Sequence, residues 1–504
     1  MNLVVNGALT FGIITVTYPR ASLWLAFLIG GFFCTLEAVV YALITAAMPR
    51  SGGDYVFQSR VFGGAVGTLF AFTFACVAQV VAMGINGFVF ATVIMSPFLA
   101  LLGGIYHANW MIEVGTWFAG KWGIFFSCLF CTAFAAAINI KGLKWYALIQ
   151  RICFWVGGAC LLVLLVTTLF TSHDTFVSHY NSFMSSFGTE NAYQVTLSSG
   201  GSTDTSFSLW QTLLAAIIAS YVLIYPAWSA MQAGEVRQAK SVRRNLNAMV
   251  GAEVFTFGLL ALIAVLITHT VGQHFLYASG NLFLSGAENN PLPVPPFLGF
   301  LFAVAGKAAI FVWIGFVMFF AWGLTIFSNG ALGATRAALV MAQDRILPSA
   351  FAKVNPRTHT PVFAIGVYTL LTIPASIAFA FWSNFASYTI SYFIMNITAI
   401  GVTILAGAVF PFRRPLLFKG GAADHRIGRV PVITIAGAIF VAFVIFVDVM
   451  ALTHDELGVN GSNGLIFLGV LFGFSALVYI TARLYRRFHD HIDISAAYSE
   501  LPVE

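Results

Sequence analysis

Residues 209–233 read LWQTLLAAIIASYVLIYPAWSAMQA, an apolar run that is interrupted at YPAWS, residues 225–229. The run is long enough to cross a bilayer, which takes about 20 mostly apolar residues. A proline inside a helix removes an internal hydrogen bond and clashes with the preceding turn. The sequence therefore predicts a transmembrane helix that is broken near its middle. The alternative is an intact helix with a simple proline kink.

The rest of the chain is also unusually apolar. Of its 504 residues, 59% are hydrophobic and 8% are charged, whereas soluble chains carry about 25% charged residues. Twelve apolar runs of membrane length lie near 3–19, 22–48, 64–101, 122–140, 145–170, 209–233, 246–270, 297–330, 361–382, 386–411, 430–452 and 463–485. Barrel strands are shorter and alternate polar with apolar residues. The sequence thus predicts an all-α integral membrane protein with about 12 transmembrane helices.

Basic residues are concentrated on one side of these predicted spans. If the segment after the first span lies outside, 21 of the 24 Lys and Arg fall in cytoplasmic loops or the carboxy-terminal tail. Only Arg20, Lys121 and Lys307 fall on the outer side. The positive-inside rule then places the carboxy terminus in the cytoplasm. This distribution accounts for the net charge of +6 without nucleic acid as a partner.

A second interruption, Asn6-Gly7, lies near the start of the first run. Broken helices at the bilayer midplane free backbone groups that hold substrates in secondary transporters. If residues 1–170 and 209–411 are inverted repeats, spans one and six occupy corresponding positions. The two interruptions together then predict a substrate site. The alternative is a kink in span six and a packing contact between small residues in span one.

Few polar groups with ion chemistry lie inside the spans. Glu37 is near the middle of span two, where it is either a proton carrier or a carboxyl group hydrogen-bonded between helices. Thr325, Ser328 and Asn329 supply oxygens near the cytoplasmic end of span eight. They either help to coordinate sodium or bond back to their own helix.

No metal or cofactor centre is predicted. All ten histidines fall in loops, at span ends or in the tail, and the six cysteines lie in apolar runs. The sequence contains no HExxH, GxSxG or GxxxxGK[ST] motif, which argues against an enzyme. A channel, which needs a polar pore lining, and a receptor that does not transport remain as rival interpretations.

Three blocks of sequence, in order along the chain, resemble signatures of the amino acid–polyamine–organocation superfamily. The first is PRSGGDY at residues 49–55, and the second is AGEV at residues 233–236. The third runs from Arg336 through DRILP, residues 344–348, to VNPRT at residues 354–358. The resemblance covers essentially the whole chain.

The resemblance implies a five-plus-five inverted-repeat core, with helices one and six broken, and two peripheral helices at 430–487. It implies an outer loop at 171–208, a cytoplasmic tail at 488–504, and transport by alternating access. The family binds substrate at the breaks of helices one and six, under aromatic side chains of helix six. Carried onto this chain, the substrate-binding positions are Asn6, Gly7, Ala8, Tyr221, Tyr225, Pro226, Ala227, Trp228 and Ser229.

Two features depart from the family pattern. Members usually have a half-helix before the break in span one, but here that break falls almost at Met1. Some proton-coupled relatives have a lysine in helix five, where this chain has Gly157-Gly158. The expected function is secondary transport of an amino acid or related amine across the cell membrane. No cofactor is expected, and the coupling ion, proton or sodium, stays open.

Overall fold

The computed structural model describes residues 3–185, 187–201, 203–285, 298–382, 388–498 and 500. The helices are α1 (Leu3–Thr17), α2 (Leu23–Ala47), α3 (Gly53–Phe62), α4 (Gly64–Ile105), α5 (Asn109–Ala119), α6 (Lys121–Lys141), α7 (Leu143–Leu169), α8 (His173–Ser185), α9 (Ala192–Ser199), α10 (Leu209–Ser220), α11 (Pro226–Met231), α12 (Val242–Val271), α13 (Gln273–Ser285), α14 (Leu298–Ala305), α15 (Ala309–Gln343), α16 (Val362–Phe381), α17 (Thr389–Arg413), α18 (Pro415–Phe418), α19 (Val432–Thr453) and α20 (Ser462–Phe488). Two short antiparallel strands, β1 (Arg426–Ile427) and β2 (Val430–Pro431), precede α19. Within these ranges, 3₁₀ turns include Ala233–Glu235, Ser349–Ala352, Asp455–Leu457 and Ile494–Tyr498.

Ten helices in the described part of the chain are long and apolar enough to cross a membrane: α2, α4, α6, α7, α12, α15, α16, α17, α19 and α20. They match ten of the twelve predicted runs, so the chain is a multi-pass membrane protein. The other two runs are shorter in the structure. The first is the 15-residue α1, and the sixth is divided into α10 and α11.

The predicted break at Asn6-Gly7 is wrong for the described residues. Helix α1 is continuous from Leu3 to Thr17 and contains Asn6, Gly7 and Ala8. A single glycine weakens a helix by only about 1 kcal/mol relative to alanine, and α1 contains no proline. Neighbouring helices therefore suffice to hold this segment helical.

Three other boundaries differ from the sequence prediction. The eighth run is divided after α14, while α15 continues to Gln343 without a break because no proline intervenes. The predicted outer loop at 171–208 contains the helices α8 and α9, and α8 buries Phe176, Tyr180 and Met184. These side chains follow helical spacing, which the polar composition of the loop obscured.

Close approach of α2 to two other helices shapes the centre of the molecule. A Cβ placed on Gly31 would lie 2.2 Å from Cγ of Phe257 on α12. A Cβ on Gly30 would lie 3.1 Å from the Ala216 carbonyl oxygen of α10. Only glycine allows both contacts, in the manner of small-residue interfaces between membrane helices. Helix α2 is thereby packed against the first half of the divided sixth run.

The carboxy-terminal tail folds back on the bundle. Ile494 and Tyr498 are buried, and an Arg414 Nη2 donates to the Tyr498 carbonyl oxygen at 2.9 Å. Arg60 Nε donates to the Glu500 carbonyl oxygen at 3.0 Å. The described part of the predicted tail is therefore tied to α3 and to the end of α17.

Candidate functional site

The sixth run is broken as predicted, but one turn earlier. Helix α10 ends at Ser220, residues 221–225 are not helical, and α11 begins at Pro226. Proline disfavours helical backbone at the residue before it and is well tolerated in the first turn of a helix. Pro226, Ala227, Trp228 and Ser229 therefore lie in α11, and the break itself is formed by Tyr221 to Tyr225.

A cavity of about 530 Å³ lies beside this break. Its polar lining consists of seven amides and two hydroxyl-bearing residues besides tyrosine: Gln79, Asn86, Gln150, Gln232, Asn245, Asn329, Asn396, Thr45 and Ser229. Its aromatic lining consists of Phe74, Tyr146, Tyr221, Tyr225, Trp228 and Tyr392. None of the described residues that line it is charged. Such a cavity offers oriented dipoles and aromatic faces to a small polar ligand.

Three tyrosines, two from the break and one from α17, meet in the wall of the cavity. The Tyr221 and Tyr392 ring centroids are 6.3 Å apart, and those of Tyr221 and Tyr225 are 6.1 Å apart. The Tyr221 hydroxyl lies close to the other two tyrosine hydroxyls, and the Gln79 and Asn396 side chains lie close to the Tyr392 hydroxyl. These five side chains, the tyrosine–amide cluster, combine hydrogen-bonding groups with ring faces next to the helix break.

The Phe74 and Trp228 rings form a second aromatic contact in the wall of the cavity, with centroids 5.7 Å apart. The Trp228 ring also covers α15, because a Cβ on Gly333 would lie 2.4 Å from its Cζ3. Trp228 is therefore held between helices α4 and α15 rather than exposed to lipid.

The structure separates the predicted substrate residues into two groups. Tyr221, Tyr225, Trp228 and Ser229 line the cavity. Pro226 and Ala227 are buried behind it and are not among its described lining residues.

The predicted positions on α1 are not brought to this cavity. Gly7 and Ala8 are buried but are absent from the described lining. A Cβ on Gly7 would lie 3.2 Å from Cδ2 of Leu260 on α12, so this segment packs against that helix. The side chain of Asn6 lies outside the described residues.

Glu37 is completely buried on α2, and neither of its carboxyl oxygens has a hydrogen-bond partner among the described residues. It does not line the cavity. Contacts between α2 and α12 pair Ala42 with Asn245 and Gly31 with Phe257, so the two helices run antiparallel. This register puts Glu253, also buried, within about one helical turn of Glu37.

The three candidate sodium ligands on α15 have different surroundings. The Thr325 hydroxyl donates to the Trp322 carbonyl oxygen of its own helix at 2.7 Å, as the alternative interpretation anticipated. The Ser328 hydroxyl is buried without a partner among the described residues. Asn329 lines the cavity and accepts a hydrogen bond from the Tyr146 hydroxyl. An ion-coupling role for these residues stays a prediction.

Sequence reasoning missed several lining residues, chiefly Gln79, Asn86, Tyr392 and Asn396. Gln79 and Asn86 lie in α4 between two π-helical stretches, Gly67–Val77 and Phe90–Met95, and π-helical turns often occur at functional sites. Tyr392 and Asn396 are one turn apart on α17. The available signal was polar residues at helical spacing within apolar runs.

A buried polar network joins α3 to α2 and α17. The Asp54 carboxylate accepts hydrogen bonds from the hydroxyls of Tyr41 and Thr403, the latter at 2.6 Å. Gln58 Nε2 donates to the Thr403 hydroxyl at 2.8 Å. Burial raises the pKa of the Asp54 carboxyl to about 6, although the bonds from Thr403 and Tyr41 act to lower it.

A buried ion pair joins α3 to α15, and a partly exposed one joins the turn at Ala233–Glu235 to α15. Arg60 binds Asp344 through two hydrogen bonds of 2.5 and 2.9 Å, and the Tyr55 hydroxyl donates to Asp344 at 2.8 Å. Arg336 Nε donates to Glu235 Oε1 at 2.7 Å. Four of the five residues lie in the three blocks of sequence, and Arg60 follows the first block, so these motifs hold α3 and the turn at Ala233–Glu235 against α15.

Residues 1–484 match the sequence pattern of the family described as amino acid permease. Two curated proteins, the Asc-type amino acid transporters 1 of Mus musculus and Rattus norvegicus, are each 22% identical to the chain over 402 residues. The match covers 78% of this chain and 64% of each relative, so the chain spans less than two thirds of the length of those relatives.

Proposed function

We infer, from the premise that this chain belongs to the amino acid permease family, that it carries an amino acid or related small amine across the cell membrane. The family and the two relatives indicate a transporter rather than an enzyme. The observation that carries the proposal is the cavity beside the break between α10 and α11. It combines a broken helix, aromatic faces and uncharged hydrogen-bonding groups in one place within the bundle.

Transport would proceed by alternating access. The lining extends from the tyrosine–amide cluster to Val236, Ala239 and Asn245. Ala239 lies within the basic segment at 237–244, and the other two residues flank it. If the positive-inside rule sets the topology, this end faces the cytoplasm and so does the carboxy terminus. At the end of the cavity away from this basic segment, the Tyr221 ring stacks on the Phe393 ring with centroids 3.4 Å apart. This arrangement supports an inward-facing state that is closed toward the outside.

The change of access would come from movement of one repeat against the other around the site. In this proposal the repeats are residues 1–170 and 209–411, and α19 and α20 are peripheral. Uptake would be coupled to a proton or sodium ion, or to counter-exchange of substrate. Glu37 supports the proton version because a buried carboxyl without hydrogen bonds is stable in the membrane only when neutral.

Uptake into proteoliposomes tests the proposal. The full chain is reconstituted and supplied with radiolabelled amino acids under an inward proton gradient, an inward sodium gradient, or preloaded unlabelled amino acid. We expect accumulation under one of these conditions that disappears when the gradient is collapsed. Uptake equal to that of empty liposomes under all three conditions, together with no thermal stabilisation by any amino acid, would contradict the proposal.

A further inference from the structure

The wall of the substrate cavity carries no formal charge among its described residues. Arg336 lies near Tyr146 in the wall, and the basic segment at 237–244 lies at the opposite end from the tyrosine–amide cluster. Arg336 is already neutralised by Glu235, whose carboxylate it binds at 2.7 and 3.3 Å. A ligand held at the tyrosine–amide cluster therefore meets amides, hydroxyls and aromatic rings, and none of the described side chains that line the cavity offers it a counter-charge.

This lack of counter-charge discriminates between amino acids. A side-chain ammonium or carboxylate would leave water without gaining an ion partner, and burial of such a charge is strongly unfavourable. The α-ammonium and α-carboxylate of an amino acid sum to zero and can each be met by oriented dipoles. Tyrosine faces add a favourable interaction with a cation that lies over the ring.

A side-chain carbonyl oxygen in the wall, that of Asn396, has no described hydrogen-bond donor. Asn396 lies on α17, is 3% exposed and lines the cavity. Its Oδ1 is buried and has no hydrogen-bond partner among the described residues. Asn396 lies one helical turn after Tyr392 on α17, within the tyrosine–amide cluster. A buried carbonyl oxygen without a donor is unfavourable until a ligand supplies one.

We propose that the cavity selects amino acids without net charge and that Asn396 Oδ1 accepts a hydrogen bond from the α-ammonium group of the substrate. The proposal rests on the proposed function, since it requires that an amino acid binds here. It adds a substrate class and names a specificity-determining residue on α17.

Thr45 offers a matched comparison within the same cavity. Its hydroxyl oxygen is also buried without a described partner, and it also lines the cavity. It lies near the cytoplasmic end of α2, whereas Asn396 belongs to the tyrosine–amide cluster. Thr45→Val therefore removes an unpaired oxygen from the wall without touching the position assigned to the ammonium group.

The test uses ligand pairs of similar size that differ in charge: norleucine with lysine, and glutamine with glutamate. Competition for uptake and thermal stabilisation of the purified full chain are measured for each ligand. We expect the uncharged side chain of each pair to bind at least tenfold more tightly. Asn396→Asp should reduce the preference for norleucine over lysine at least tenfold, because it supplies a counter-charge.

A third pair tests the ammonium contact itself. Leucine and 4-methylpentanoate differ only in the α-ammonium group, and the wild-type protein should favour leucine. Asn396→Leu should reduce this discrimination below that of the wild-type protein, whereas Thr45→Val should keep it in full. The preference that remains in Asn396→Leu comes from the net negative charge of 4-methylpentanoate. A merely structural role for Asn396 would weaken both ligands alike.

Each part of the proposal has a result that would overturn it. Equal or tighter binding of lysine or glutamate by the wild-type protein would overturn the charge selection. Undiminished discrimination between leucine and 4-methylpentanoate in Asn396→Leu would overturn the role of Asn396, and Asn396→Asp tests that position independently if the leucine variant does not fold. Binding of no member of any pair would remove the proposed function itself, which is a distinguishable failure.

Discussion

Removing the carboxylate of Asp344 should destabilise the folded protein strongly. Arg60 and Asp344 form a two-bond ion pair, and their side chains are only 3% and 6% exposed. In Asp344→Ala the guanidinium keeps its bonds to the Ser59 hydroxyl and the Glu500 carbonyl oxygen, but no described carboxylate remains in contact with it. The Tyr55 hydroxyl loses its acceptor in the same variant.

The expected loss in the free energy of unfolding follows from the burial of the ion pair. Deleting one partner of a buried ion pair costs about 3–5 kcal/mol because an uncompensated charge is left inside the protein. Replacing both partners by apolar residues of similar volume is often neutral or even stabilising, by up to about 4 kcal/mol. The double variant Arg60→Met/Asp344→Leu should therefore be more stable than Asp344→Ala.

Equilibrium unfolding in mixed detergent micelles measures the effect, with the fluorescence of the 11 tryptophans as the signal. Asp204→Ala is the control. Asp204 pairs with Arg20 at 3.3 Å, but these side chains are 60% and 42% exposed. Solvent screens such a pair, so its loss should leave the unfolding midpoint unchanged within error.

Two outcomes would refute this reasoning. A free energy of unfolding of Asp344→Ala within about 1 kcal/mol of wild type would mean that the buried charge is tolerated without its partner. A double variant as unstable as the single one would mean that the loss comes from packing around α3 rather than from the unpaired guanidinium.

Three further predictions address the cavity and the buried acids. Trp228→Ala should raise the substrate KM severalfold while expression is retained. The control, Trp155→Ala, removes a ring on α7 that is 68% exposed and should leave KM unchanged. Equal kinetics in both variants would remove Trp228 from the site. Asp54 has a folded-state pKa of about 6, above the usual value of about 3.9. As pH rises, the native state therefore keeps this proton longer than the unfolded state does. The free energy of unfolding should fall as pH rises from about 4 through 6. Asp54→Asn mimics the protonated acid and should flatten this dependence of the melting temperature, whereas an unchanged slope would assign it to other groups. Glu37→Gln should change the pH profile of uptake if Glu37 carries a proton, and a superimposable profile would favour a structural carboxyl.

The sequence alone was sufficient for the class of the protein. Hydropathy located the apolar runs, because the cost of placing a helix in lipid is roughly a sum over its own residues. Ten of those runs are long helices in the described part of the chain. Pro226 marked the division of the sixth run because proline acts on its own backbone and on the residue before it, with little dependence on the rest of the fold.

The sequence prediction was wrong where contacts with neighbouring helices determine whether a segment is helical. Asn6-Gly7 looked like a break, but α1 is continuous through it. Glycine only weakens a helix, so packing against α12, for example at Leu260, determines whether the segment stays helical. The outer loop likewise forms α8 and α9 because the tertiary structure provides a surface on which Phe176 is buried.

The sequence by itself thus determined which segments enter the membrane and where one of them is interrupted. Only the tertiary structure decided which polar side chains meet. Asn396, Gln79 and Tyr221 lie in three different apolar runs, and Arg60 and Asp344 are 284 residues apart. Transfer into lipid is a property of each segment alone, whereas a hydrogen bond or ion pair depends on which helix faces come into contact.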